Sequence, residues 1–162
     1  ETGWHLIGPL QRNKAKAALE AFDVVHTLDR VDLADRLQFL LSEHWPERRL
    51  EVLLEINVGE ESQKAGAPPE EAAELLEHAL GCDQLQVRGL MAIPPWGQDP
   101  EASRPYFCAL RELRDRLERD AGVPLPELSM GMSHDFEIAI AEGATLVRVG
   151  TAIFGARISP KP

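Results

Sequence analysis

Short apolar runs alternate with longer amphipathic stretches from one end of the sequence to the other, and this alternation restricts the fold more than any other feature. The apolar runs have the period of a strand and the amphipathic stretches that of a helix. About six strand units are present by this criterion. The predicted strands cover residues 4–8, 24–28, 50–58, 86–93, 128–132 and 146–154.

Helical crossovers between the strands indicate parallel pairing, because parallel neighbours need a connection of about a dozen residues or more and a helix usually supplies it. No low-complexity linker interrupts the order, so residues 1–162 are predicted to form a single α/β domain. The predicted helices begin at Pro9 and Pro68 and cover about 31–44, 100–121 and 134–142.

Two parallel architectures fit this order, an open doubly wound sheet and a closed barrel. No GxGxxG motif follows the first strand, so nothing favours dinucleotide binding on an open sheet. One face of the third strand carries Val52, Leu54 and Ile56, and the other carries Leu53, Glu55 and Asn57. An apolar face under helices and a partly polar face toward a lumen favour the barrel.

Charge and cysteine content exclude several classes of partner. A formal net charge of -10 would repel a nucleic-acid backbone. No apolar run approaches the roughly 18 residues needed to cross a bilayer. Cys82 and Cys108 have neither CxxC nor zinc-finger spacing, so we expect no disulfide, no metal site and a reducing, cytoplasmic setting.

The strongest chemical signal lies after the last two strands, in residues 129–135 and 147–155. We expect Ser133 to cap a helix that begins at His134, where free backbone N–H groups favour an anion. Gly150 permits close backbone approach, and Thr151 adds a hydroxyl donor. Since these loops often hold phosphate in (β/α)8 barrels, the pattern predicts a phosphate site. The alternative is that Ser133 only caps and Gly150 only turns.

Arg148 shares a strand face with Gly150 and is therefore expected to face the same ligand. A guanidinium inside a barrel needs a partner. One interpretation is an internal salt bridge to Glu55. The other is donation to a ring nitrogen of a bound heterocycle, which would keep that nitrogen unprotonated.

Several motifs, in this order and spacing, resemble the pyridoxal phosphate homeostasis proteins. They are WHLIGPLQ at 4–11, INV at 56–58, KAG at 64–66, GLMAIP at 89–94 and the segments 128–135 and 147–157. The resemblance implies a (β/α)8 TIM barrel of the alanine racemase N-terminal type. It also implies that the protein binds pyridoxal 5'-phosphate (PLP) and buffers or delivers it without catalytic turnover.

The resemblance assigns roles to individual residues. It implies that Ser133, Gly150 and Thr151 hold the phosphate, that Arg148 faces the pyridine nitrogen, and that Asn57, Met91 and His5 lie near the pocket. We expect a monomer whose other partners are PLP-dependent apoenzymes.

The lysine that carries PLP as a Schiff base in this family lies on the first barrel strand. None of Lys14, Lys16, Lys64 and Lys161 matches that motif. With about six of the barrel's eight units present, we expect the first two β/α units, and this lysine, to lie upstream.

Two other functions stay open. A PLP-dependent amino-acid racemase needs two opposed bases, but the one tyrosine, Tyr106, falls in a predicted helix. His134 and Asp135 are adjacent in a first helical turn and point in different directions, so we predict capping there and not a proton relay. The third possibility is an interaction domain with a vestigial phosphate site.

Overall fold

The framework of the protein, seen in a computed structural model that describes residues 3–59 and 65–155, is one parallel sheet. The six strands lie side by side in sequence order and every neighbouring pair is parallel. They are β1 (His5–Leu6), β2 (Val24–Leu28), β3 (Leu50–Glu55), β4 (Leu85–Met91), β5 (Glu127–Met132) and β6 (Leu146–Arg148). The predicted parallel α/β fold is confirmed.

A helix follows each of these strands. The helices are α1 (Ala15–Ala21), α2 (Val31–His44), α3 (Ala72–Leu80), α4 (Arg104–Ala121), α5 (Phe136–Ala141) and α6 (Thr151–Phe154). Several predicted boundaries are wrong. The third strand ends at Glu55 instead of Val58, and the first helix begins at Ala15 instead of Pro9. The last strand ends at Arg148, because residues 151–154 turn into α6, and α5 begins at Phe136 instead of His134. No helix in the described ranges is long and apolar enough to span a membrane.

The convex face of the sheet packs under the helices and forms the main apolar core. Val52, Leu54 and Ile56 all lie in this core, as the alternation along the third strand predicts. The same core contains residues of five helices, α1 to α5, among them the fully buried Leu37 and Phe107. Each fully buried side chain of this size stabilises the fold by about 1.5–3 kcal/mol, so most of the apolar stabilisation lies on this face.

The other face of the sheet is concave. His26 on β2 and Ser129 on β5 are joined by a hydrogen bond of 2.9 Å, although β3 and β4 lie between their strands. In a flat sheet three strand spacings would separate them by about 14 Å. The sheet therefore curls strongly, and its concave face encloses a half-barrel lumen. A small second apolar cluster of Val24, Leu53 and Met91, with Leu146 packed against it, lies in this lumen.

Candidate functional site

A cavity of about 770 Å³ opens on the concave side at the carboxyl ends of the strands. This volume is typical of small-molecule sites. Its wall is formed by His5, Ile7, His26, Ile93, Trp96, Met132, Ser133, His134, Leu146, Val147, Arg148, Val149, Gly150, Thr151 and Phe154. Five of the residues predicted from the sequence, His5, Ser133, Arg148, Gly150 and Thr151, are thus brought together around one space.

Arg148 links β6 to β5 and to the end of β4 by hydrogen bonds. Its Nη1 donates to the backbone oxygen and to Oγ of Ser129, both at 2.8 Å, and its Nη2 donates to the backbone oxygen of Ala92 at 2.9 Å. The predicted alternative of a salt bridge to Glu55 is wrong, since no ion pair within 4.0 Å joins the two among the described residues. Backbone and hydroxyl oxygens, and not a carboxylate, accept these hydrogen bonds from the guanidinium. Burial lowers the pKa of Arg148, but a guanidinium stays charged at neutral pH.

Glu55 instead lies buried in the lumen with little compensation. Its Oε2 atom has no hydrogen-bond partner in the described part of the chain. Burial, and then the charge of Asp29, raise the pKa of this carboxyl to about 7, although the positive charge of Arg148 opposes the shift. Near neutral pH the side chain is therefore divided between its charged and neutral forms.

A chain of hydrogen bonds runs across the lumen from Arg148 to the mouth of the cavity. His26 contacts Ser129 Oγ through Nδ1 at 2.9 Å, and its Nε2 contacts Nδ1 of the exposed His5 at 2.8 Å. Because Ser129 Oγ accepts from Arg148, its own O–H can donate to His26, and Nε2–H of His26 can then donate to His5. Burial, followed by the charges of His5 and Arg148, lowers the pKa of His26 to about 4, so this imidazole is neutral at pH 7.

The sequence predicts that Ser133 caps the helix that follows it, and this prediction is wrong. Its Oγ accepts the backbone N–H groups of Gly150 at 3.1 Å and Ala152 at 3.2 Å, at the start of α6. Asp135 holds the loop before α5, because its carboxylate accepts from Met132 N and from Ser103 Oγ, each at 2.8 Å. Asp135 is therefore a structural anchor. It stands at the N-cap of α5, but its side chain makes no capping hydrogen bond there, so the predicted side-chain capping is wrong.

The space in front of Gly150 is open, since a side chain built there would meet no heavy atom within 4 Å. Thr151 lies beside it and is exposed. The Ser133 hydroxyl, which accepts two N–H groups, still has its own hydrogen to donate outward. Hydroxyl and backbone N–H donors around an open space suit a phosphate group, so these residues fit the anionic end of the cofactor that the sequence implies.

Two of the predicted residues do not line the cavity. Met91 is fully buried one layer below it, in the lumen cluster that also contacts Leu146. Asn57 follows the end of β3, and its backbone N–H donates to Ala67 O at 2.9 Å. The resemblance implied that both residues lie near the pocket, and neither residue belongs to its wall.

Lys14, Lys16 and Tyr106 also stay outside this wall. Lys14 lies just before α1 and Lys16 within it, on the outside of the sheet. Lys64 and Lys161 fall outside the described residues. Tyr106 is on α4, which covers the convex face, so it cannot serve as a base for a ligand in the cavity.

Sequence reasoning missed the aromatic rim and the centre of the polar chain. Trp96 stacks on His134 with ring centroids 6.3 Å apart, and its side chain is 75% exposed at the mouth. The turn that holds Trp96 follows a strand on the ligand side, which was an available signal. His26 interrupts an otherwise apolar strand, which indicates a polar lumen, but its contact with Ser129 was not predictable because that contact depends on how far the sheet curls.

Comparisons with known proteins agree with the fold. The family model for the alanine racemase N-terminal domain matches residues 2–158. The chain is 51% identical to the pyridoxal phosphate homeostasis protein of Aquifex aeolicus, over 95% of this chain and 67% of that protein. It is 45% identical to the protein of the same name from Pseudomonas aeruginosa, over 95% of this chain and 64% of that protein.

A solved structure of PipY from Synechococcus elongatus with PLP bound matches with a TM-score of 0.85 and 39% identity. The match covers 94% of this chain and 70% of the PipY chain. The chain thus spans about two thirds of the length of the curated relatives it matches.

Proposed function

This chain belongs to the pyridoxal phosphate homeostasis proteins, within the alanine racemase N-terminal domain family, and from that membership we propose that it binds PLP in the cavity at the carboxyl ends of its strands. Its role would be to buffer or deliver the cofactor inside the cell without catalytic turnover. The observation that carries the proposal is the meeting, around one cavity, of a half-buried guanidinium and a cluster of hydroxyl and backbone N–H donors.

Ser133, Gly150 and Thr151 would hold the phosphate of PLP. When bound, PLP supplies an aldehyde that condenses with amines and a pyridine ring that can act as an electron sink. Arg148 would face the ring nitrogen, and its guanidinium has only donors to offer. Three of its bonds go to Ser129 and Ala92, which leaves further donors for a ligand.

The proposed absence of turnover rests on Arg148. An acid at this position would protonate the ring nitrogen and strengthen the electron sink, whereas a permanent cation keeps that nitrogen an acceptor and weakens the sink. His5 would lie at the edge of the bound ring. Met91 would support the site from below, and Asn57 from the end of β3, without direct contact.

We also propose that the six strands form an arc of a (β/α)8 barrel whose other two units carry the Schiff-base lysine. The strict sequence order of the parallel strands and the strong curl of the sheet support this arrangement. It is also consistent with the lack of a lysine in the cavity wall within the described residues. These residues would then contribute the noncovalent contacts to PLP.

The proposed partners follow from charge and from the family. We place the protein in the cytoplasm as a monomer that passes PLP to PLP-dependent apoenzymes, with neither nucleic acid nor membrane as a partner. Its two cysteines are both free, which supports a reducing compartment. Size-exclusion chromatography with light scattering measures the mass in solution, and a dimer mass would contradict the monomer.

The test is a titration of the chain with PLP. Quenching of tryptophan fluorescence reports the binding, since Trp96 lines the cavity. We expect saturable binding that Arg148→Gln weakens at least about 10-fold, because a hydrogen bond to a charged group contributes about 1.5–3 kcal/mol. Arg119→Ala, on the exposed side of α4, is the matched control and should bind PLP normally. Circular dichroism checks that both variants fold. Absence of binding by the unmodified chain, or equal binding by Arg148→Gln, would overturn the proposal.

The alternative function is a PLP-dependent enzyme of the amino-acid racemase type. One observation favours it: His5 is exposed at the mouth of the cavity and is linked to His26, so it could exchange protons with a bound amino acid. Chiral chromatography after incubation of the PLP-loaded protein with amino acids tests this function. Racemisation that is lost in His5→Ala would favour the enzyme, and the proposed function predicts none.

A further inference from the structure

A second cluster of chemically reactive side chains lies on the convex side, between α2 and α3, far from the lumen in the layered fold. Asp35 of α2 faces His78 of α3 and Cys82, which lies two residues beyond the end of α3. One carboxylate oxygen, one imidazole nitrogen and the sulfur all lie within 4.8 Å of one another. Nε2 of His78 and Oδ1 of Asp35 are 2.7 Å apart.

The backbone directs the three groups toward a common point. His78 and Cys82 are four residues apart, which places them on the same side of a continuous helical turn. Cys82 N donates to Ala79 O at 3.2 Å and its Sγ donates to His78 O at 3.6 Å, so the turn continues past the end of α3. The thiol is buried, His78 is half-buried and Asp35 is exposed, so the cluster reaches from solvent to the edge of the core.

We propose that Asp35, His78 and Cys82 bind a thiophilic divalent cation of the Zn²⁺ class between α2 and α3. Sulfur, imidazole and carboxylate are the three ligand types that Zn²⁺ takes in proteins, at about 2.0–2.3 Å from the metal. Ligand atoms in a tetrahedral site at those distances lie about 3.3–3.6 Å apart. The three atoms here lie within 4.8 Å of one another, so side-chain adjustment alone can bring them to that separation, and water from the exposed side completes the fourth position.

Charge balance favours the cation over a simple ion pair. On binding, Cys82 loses its thiol proton, and the proton between His78 and Asp35 is also released to solvent. A thiolate, a carboxylate and a neutral imidazole then carry two negative charges, which a divalent cation neutralises. An ion pair between His78 and Asp35 alone would not require a buried thiol beside it.

This site was not predictable from the spacing of the cysteines. The sequence has no second Cys–His pair to accompany His78 and Cys82, and Asp35 comes from another helix. The proposal is independent of PLP binding, because the cluster shares no residue with the lumen cavity. The bound cation would link α2 to α3, two helices that cover the main core.

The experiment is calorimetric titration of the tag-free, chelator-treated chain with Zn²⁺, together with Co²⁺ absorption, in which a thiolate charge-transfer band reports sulfur ligation. We expect one Zn²⁺ per chain and a rise in melting temperature with Zn²⁺ concentration. Cys82→Ser and His78→Gln should each weaken binding at least about 100-fold, since loss of even an outer-shell partner costs about 10- to 100-fold.

Two control variants separate this site from other metal ligands. Cys108→Ser removes the other cysteine, whose thiol donates to Glu142 at 3.0 Å, and should bind Zn²⁺ normally. His5→Ala removes an imidazole from the lumen cavity and should also bind normally. The proposal is wrong if the unmodified chain takes up no Zn²⁺, if Co²⁺ shows no thiolate band, or if Cys82→Ser binds as tightly as Cys108→Ser.

Discussion

The two faces of the sheet are built from the same strands but differ in what they bury. On the convex face, Leu54 and its neighbours are enclosed by helices in a continuous apolar core. On the concave face, a small apolar cluster lies beside His26 and Glu55, which are also buried but are polar or titratable. Both faces bury side chains, so burial by itself does not distinguish the part that stabilises the fold from the part that can bind a ligand.

Truncation of neighbouring leucines on the two faces gives the largest expected effect. Leu54→Ala should lower the free energy of unfolding by about 2–5 kcal/mol, because it leaves a cavity in a core that cannot collapse around it. Leu53→Ala should fall at the low end of that range, because its cluster borders an open cavity into which the lumen can relax.

Urea unfolding of both variants at pH 7 measures this difference, with unchanged m-values as the check on two-state behaviour. Equal losses for Leu53→Ala and Leu54→Ala would mean that the lumen cluster stabilises the fold as much as the convex core. The distinction between the faces would then fail.

The convex face was predictable from the sequence, because a strand's alternation is a local property. Val52, Leu54 and Ile56 recur at a spacing of two residues and need no knowledge of the rest of the chain. The order of strands and helices was predictable for the same reason. The helix at residues 151–154 was not, since a short apolar segment after a strand has no period of its own.

The lumen was only partly predictable, because its contacts depend on tertiary curvature. Ser133 lies in one terminal motif and Arg148 and Gly150 lie in the other, and the structure places all three around one cavity. Ser133 nevertheless bonds to α6 instead of α5, a choice decided by how the two loops meet. The contact between His26 and Ser129 joins residues 103 positions apart and follows from the curl of the sheet alone.

Titration of the lumen should give the next largest effect, because the two buried groups there shift in opposite directions. His26, with its pKa lowered from 6.5 to about 4, contributes stability above pH 6.5 that is lost as pH falls toward 4. Glu55, with its pKa raised from 4.5 to about 7, contributes stability below pH 4.5 that is lost as pH rises through 7. Between pH 4.5 and 6.5 the two trends oppose each other.

Single variants should separate these trends. In Glu55→Gln the free energy of unfolding should rise with pH across that window relative to the unmodified chain, and in His26→Asn it should fall. The expected difference is on the order of 1 to 3 kcal/mol. Leu54→Met, a change of similar volume on the convex face, is the control and should leave the slope unchanged. Profiles of all three variants that run parallel to the unmodified chain would contradict the assignment of these groups to the lumen.

The smallest expected effect concerns the phosphate end of the cavity, where stability and binding should separate most clearly. Ser133→Ala removes the oxygen that accepts from two exposed backbone N–H groups. Because water can take the place of this acceptor, the free energy of unfolding should change by less than about 0.5 kcal/mol. PLP affinity should fall about 10-fold, because the hydroxyl is expected to donate to the phosphate. Thr151→Val, measured in the same fluorescence titration, should weaken binding by a similar factor.

The opposite result for Ser133→Ala would be equally informative about this end of the cavity. In the structure Ser133 Oγ already accepts from Gly150 N and Ala152 N, so a phosphate oxygen could compete with it for those donors. Tighter PLP binding by the alanine variant would mean that the hydroxyl closes the site in its free state. The phosphate would then be held mainly by the backbone, and Ser133 would no longer be a direct ligand.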